Sequence, residues 1–191
     1  MADPLRQVAL PSKVTPRTRR KAVQFFVEAT QKSISCVTDA IVDLRRDRAE
    51  PLDLTVGDRS LARLRGPSPL FLRIRMQFRV AQSSVRLGCY EVSTVAYSYC
   101  LRDAEDREIL VYQWHPAGQS HVTFPHLHLG PGARVGRHDL LKAHLPTGQV
   151  SLEDFLHLAI NDFHVRPRRK DWARILNGPE TTEPGSPPVD P

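Results

Sequence analysis

Three histidines fall within one short segment, HVTFPHLHLG at residues 121–130: His121, His126 and His128. Imidazole gains and loses a proton near neutral pH, and in its neutral form it is a metal ligand. In an extended chain His126 and His128 point to one side, and Leu127 and Leu129 to the other. The leucines call for a core, so the two imidazoles are expected on the open face of a sheet. His115 and His121 flank the connection into this segment and are expected to support the pair. Asp139 is the closest carboxylate after the motif, and none sits at ligand spacing.

Three readings fit these residues. The first is metal-free acid/base chemistry on RNA, with the ribose 2′-hydroxyl as nucleophile and no cofactor. His126 and His128 move protons, while Arg73, Arg75 and Arg79 neutralise phosphate charge. The second takes His126 and His128 as a bidentate pair for zinc or another divalent metal, completed by a third histidine in a metal-dependent hydrolase. In the third the histidines do no chemistry, since H-x-H arises readily by chance in a chain with eight histidines. A basic run at 166–170, RPRRK, offers Arg168, Arg169 and Lys170 for phosphate contacts. The chain has no Gly-rich phosphate loop, Walker lysine, G-x-S-x-G elbow or H-E-x-x-H. Cys89 and Cys100 lie in strand patterns and read as core residues rather than nucleophiles. Tyr97 and Tyr99 share a strand face, which suits a packed pair better than a base-stacking platform.

The elements that must position these groups follow from periodicity. LFLRIRMQFRV at 70–80 alternates apolar and polar residues throughout and predicts a strand with three arginines on one face. A second strand is expected to end at Tyr97, Tyr99 and Leu101, a third at ILVYQWH, and a fourth at HVTFPHLHL, where Pro125 suggests an edge or a bulge. Ahead of them, Thr15-Pro16 or Thr18 opens a helix. Its apolar seam, at 23, 27, 30, 34, 37, 41 and 44, predicts a helix of about 30 residues, with a bend or break near Ser33–Ser35. That seam also offers a homodimer surface over 23–44, though packing on the sheet is the expected use. The connector at 50–69 is turn-rich, with a short helix expected around Ser60–Arg65. After the sheet, LLKAHLPTG reads as helical or irregular. Ser151 caps a helix, with Asp154 as its capping-box partner and a buried face of Leu152, Phe155, Leu156, Ala159, Ile160 and Phe163. A short last helix ends at Gly178. The expected fold is α+β: a four-stranded antiparallel sheet at about 70–130, with a long N-terminal helix and C-terminal helices on one face. The expected organisation is a flexible arm at 1–14, one domain at 15–178, and a disordered proline-rich tail at 179–191.

The segments YSYCLRDAEDREILVYQWHP and TFPHLHLG resemble the core of the TumE-type toxins of bacterial toxin–antitoxin pairs. The matching positions are Tyr97, Tyr99, Asp103, His115, Pro116, Thr123, Phe124, Pro125, His126 and His128, within about residues 95–130. The family segment tends to read His-His-Lys-His after the proline, whereas this chain reads His-Leu-His and lacks the lysine. The resemblance implies a small α+β toxin that acts on RNA or translation and is neutralised by a cognate antitoxin. A non-enzymatic module that binds nucleic acid or protein is the alternative from a different class.

Composition bounds these readings. The chain has 191 residues and a net charge of +6. Residues 1–80 carry 16 Lys/Arg against 8 Asp/Glu, and residues 81–191 carry 11 against 13. The basic half suggests an anionic partner, with RNA the first candidate, although an arginine-rich solvated surface gives the same count. No apolar stretch is long enough to span a bilayer. The N-terminus lacks the cation-first, apolar-next order of a signal peptide. Cys36, Cys89 and Cys100 are odd in number and widely spaced, which argues for reduced thiols and a cytoplasmic address.

Overall fold

The computed structural model describes residues 16–45, 50–58, 62–117 and 121–178. The arm expected at 1–14 and the tail at 179–191 lie outside them. The chain order is α1 (Arg19–Ile34), β1 (Asp43–Arg45), β2 (Leu52–Val56), β3 (Ala62–Leu64), β4 (Leu70–Gln82), β5 (Tyr90–Arg102), β6 (Glu108–Trp114), β7 (His126–Leu129), β8 (Leu145–Pro146), α2 (Leu152–Asn161) and α3 (Trp172–Leu176). The class is α+β, as the periodicity indicates, but the antiparallel sheet has eight strands rather than four. Its order is β1-β2-β4-β5-β6-β7-β8, and β3 pairs with the start of β4 on the edge that β2 occupies further along.

The frame is the β4–β5 hairpin, two strands of 13 residues each. Leu72, Ile74, Met76 and Phe78 are buried on one side of β4, where α1 and α2 pack. Phe26 of α1 lies on Phe78, with ring centroids 4.6 Å apart. Phe155 of α2 lies 5.5 Å from the Tyr99 ring and meets Tyr112 edge-on. Tyr97 and Tyr99 stack at 4.6 Å within this core, as a packed pair. Among the described residues no α-helix packs on the other side of the sheet, the usual arrangement for an antiparallel sheet with one wet face.

α1 starts at the Thr18 cap but ends at Ile34, so it is a 16-residue helix and the seam to residue 44 is not continuous. The break falls at Ser33–Ser35. The hydroxyls of Thr30, Ser33 and Ser35 bond to the carbonyls of Phe26, Ala29 and Lys32, offering the backbone an alternative to straight helix. The Gln31 amide then clamps the departing chain, donating to the Ala40 carbonyl and accepting from the Val42 N–H. Of the seam residues, Thr30, Ile34 and Val37 are buried in the chain's own core, while Ile41 is 79% exposed.

The helix expected around Ser60–Arg65 is also corrected. Residues 62–64 form β3, with Ala62 and Leu64 buried and Arg63 exposed; residues 60 and 61 lie outside the described residues. Pairing with the free edge of β4 outweighs the local helical pattern there. In α2 the expected capping box is present, with the Ser151 hydroxyl accepting from the Asp154 N–H. Its apolar face is buried as expected, apart from Phe163, which lies beyond the helix and is half-buried.

Candidate metal centre

The expected fourth strand is shorter than its sequence pattern: only His126–Leu129 is extended in the sheet. Pro125 stands immediately before it, and a proline has no N–H to give a ladder. Within β7 the parity argument holds. Leu127 and Leu129 face Tyr112 and Leu110 on the core side, and His126 and His128 face Gln113 and Val111 on the side without helices. Yet that side is not open at this point. His126 is only 4% exposed, because the chain after β7 folds back over it.

That return depends on glycine. The Gly130 N–H donates to the Ile109 carbonyl at 2.9 Å, and a Cβ on Gly130 would lie 2.2 Å from the Glu108 carbonyl oxygen. Gly132 approaches the same oxygen, at 2.9 Å for its notional Cβ. The Gly-Pro-Gly segment can therefore lie against the start of β6. Two 3₁₀ turns, at Pro131–Ala133 and Leu140–Lys142, carry the chain back to β8, which pairs with β7. His144 directly precedes β8, and this path sets it over the two strand histidines.

The three imidazoles form one cluster. One ring nitrogen from each of His126, His128 and His144 lies within 4.8 Å of the others. The Nε2 atoms of His126 and His128 are 2.9 Å apart. His144 packs against both rings, with centroids 5.1 Å from His126 and 4.3 Å from His128. His126 Nδ1 lies 2.8 Å from the Phe124 carbonyl, which can only accept, so Nδ1 carries the proton and Nε2 presents its lone pair. Anchoring one imidazole nitrogen on a carbonyl to aim the other is the usual support of a histidine metal ligand. Without a metal, the His128 Nε2–H donates to His126; the other tautomer of His128 aims both lone pairs at a common point. Burial, with smaller contributions from His144 and His126, pulls the His128 pKa down to about 4, so the ring is neutral at physiological pH.

Exposure is graded across the cluster: His126 is buried, His128 half-buried and His144 exposed. Ligands converging from the protein side with the outer side open suit a metal that keeps one coordination position for water or substrate. Tetrahedral zinc holds its nitrogens roughly 3.3 Å apart, given bonds of about 2.0–2.1 Å; here one pair is 2.9 Å apart and all three lie within 4.8 Å. Three histidines on this chain could therefore hold a metal ion.

The other expected site residues divide. His115 is half-buried beside His126, and burial followed by the charge of His126 lowers its pKa. His121 is exposed and is not part of the cluster; the third member is His144 in its place. Arg73, Arg75 and Arg79 project on the same side of the sheet as the histidines, but three strands away. The Asp58 carboxylate pairs with Arg73 at 3.7 Å and Arg75 at 3.2 Å, while Arg79 has no ion pair among the described residues. Arg168, Arg169 and Lys170 lie beside the end of α1, on the helical side. There the Arg168 N–H donates to the Cys36 carbonyl, and Arg169 pairs with Asp171. The cysteines are free; Cys36 and Cys100 are buried, and burial pushes the Cys100 thiol up to about 12, which suits a core residue and not a nucleophile. No helix among the described residues is long and apolar enough to cross a membrane.

His144 is the member of the cluster that sequence reasoning misses. Its signal is a further histidine after an H-x-H strand pair and a Gly-Pro-Gly return. In comparisons with known proteins, no family model matches the chain, and no curated protein or solved structure matches it.

Proposed function

We propose that His126, His128 and His144 hold a single divalent metal ion, zinc by ligand type, that activates water to hydrolyse phosphodiesters of RNA. The observation that carries the metal centre is the convergence of three ring nitrogens within 4.8 Å, one of them aimed by the Phe124 carbonyl. A neutral His128 has a lone pair to give a metal. A metal held by these three nitrogens would supply an activated water for attack on phosphorus, so no separate carboxylate base would be needed, and the leaving oxygen would take up a proton as its bond to phosphorus breaks. RNA as substrate, and a toxin role with a cognate antitoxin, rest on the TumE-like positions Tyr97 to His128 and on the arginines that share the histidine side of the sheet.

The test is RNA cleavage by tag-free protein, with and without a chelator. Cleavage should disappear on chelation, return with zinc, and be absent in H144A. Cleavage that survives chelation would return the site to metal-free chemistry; no cleavage under any condition would remove the hydrolase reading.

A further inference from the structure

The histidines and arginines are joined by the register of the sheet. Arg75, Ser98, Gln113 and His126 are successive partners across β4, β5, β6 and β7, and Arg73, Cys100, Val111 and His128 form the adjacent row. Three strand spacings separate the ends of each row, about 14 Å. The two rows differ in the middle. Cys100 and Val111 are buried, whereas Ser98 and Gln113 are half-exposed and their side chains have no hydrogen-bond partner among the described residues. A line of uncommitted polar groups therefore runs from the histidine cluster to Arg75.

At its far end lies a cavity of about 370 Å³ lined by Asp43, Arg45, Thr55, Asp58, Arg73 and Arg75. Of its two carboxylates, Asp43 lies across Thr55 from Arg75, and Asp58 sits behind the arginines, with 17% of the side chain exposed against 38% for Arg73 and 61% for Arg75. Arg75 uses Nε and Nη2 on Asp58, and Arg73 approaches it through Nε. The outer guanidinium edges remain available to an anion, and their orientation is set in advance, which suits bidentate phosphate recognition.

We infer that the Arg73–Arg75 cavity is a second phosphate subsite, and that a single-stranded nucleic acid lies along the Arg75–Ser98–Gln113–His126 row. This rests on the histidine cluster being the reacting end. One phosphate sits on the arginines while a phosphodiester further along the same strand reaches the histidines. A substrate of one or two nucleotides does not span the distance. Arg79 pairs with Ser93, off both rows, and takes no part on this path.

The experiment measures anisotropy of a fluorescein-labelled single-stranded RNA of about ten nucleotides. It uses H144A protein, so that cleavage does not interfere and binding is read apart from metal chemistry. Adding R73Q and R75Q should weaken binding at least about tenfold and reduce the log–log salt slope by about 0.7 for each phosphate no longer neutralised. R20Q, at an exposed position of α1 on the helical side of the sheet, should leave both unchanged. If the double substitution melts below the assay temperature, R75Q alone carries the test, since its guanidinium is the more exposed. Binding unaffected by the Arg73 and Arg75 substitutions, an equal effect from R20Q, or no RNA binding by the unsubstituted background would overturn the inference. Arginine-dependent binding by a chain whose native form takes up no metal would uphold the subsite and remove the metal hydrolase.

Discussion

His126 has one nitrogen held by the Phe124 carbonyl and the other 2.9 Å from His128. A group fixed in this way is set up to give a lone pair. His128 carries the same point into pH dependence. Its pKa is about 4 in the folded chain against an ordinary value of 6.5. Between those values the unfolded chain binds a proton that the folded chain does not, so stability falls as pH drops from 6.5 towards 4. Thermal melts of metal-free protein should show that decline, with a shallower one in H128Q; equal slopes would contradict the assignment. The facing of His126 and His128 is legible from the sequence because alternation in a strand is local. The place of His144 is not, because nothing local to LLKAHLPTG says that it returns to β7.

Among the elements, β4 is legible for the same reason: it keeps its alternation over enough residues to be counted, whereas β5 does not, and its register shifts against both neighbouring strands. β1 and β3 have three residues each, too few to show a period, and their pairing with β2 and β4 decides them. The length of α1 is legible in part: the helix ends where the bend or break is expected, near Ser33–Ser35, but the apolar seam by itself runs on past the bonds that the hydroxyls of Thr30, Ser33 and Ser35 make. The element with most bearing on the site is the return after β7. Gly130 has φ −93°, so backbone freedom is not its role; space is. A methyl group there meets the Glu108 carbonyl and pushes the return away from β6. G130A should destabilise the protein by about 1–3 kcal/mol in urea unfolding and weaken zinc binding by displacing His144. Unchanged stability with unchanged zinc affinity would show that the return does not position the ligand.

At the scale of the whole molecule, the sheet separates two sets of cations. Arg168, Arg169 and Lys170 stand on the helical side near Cys36, whereas Arg73, Arg75 and Arg79 share the histidine side. The composition registers an excess of positive charge but not this division, since the position of each basic run depends on which face its element presents. One side of the sheet is committed to the core through Phe26, Phe78, Tyr99 and Phe155. The other carries polar side chains and both candidate sites. The candidate sites and the packed core thus lie on opposite faces of one sheet, and the wet face can be altered at the arginines with little cost to the core.

Whether His144 completes a metal centre with His126 and His128 is decided by titrating zinc into tag-free, metal-depleted protein and into H144A, with stoichiometry and affinity read by calorimetry. The unsubstituted protein should bind one equivalent, and H144A should lose that binding. No zinc binding by the unsubstituted protein, or equal affinity in H144A, would show that the three histidines do not form a metal centre.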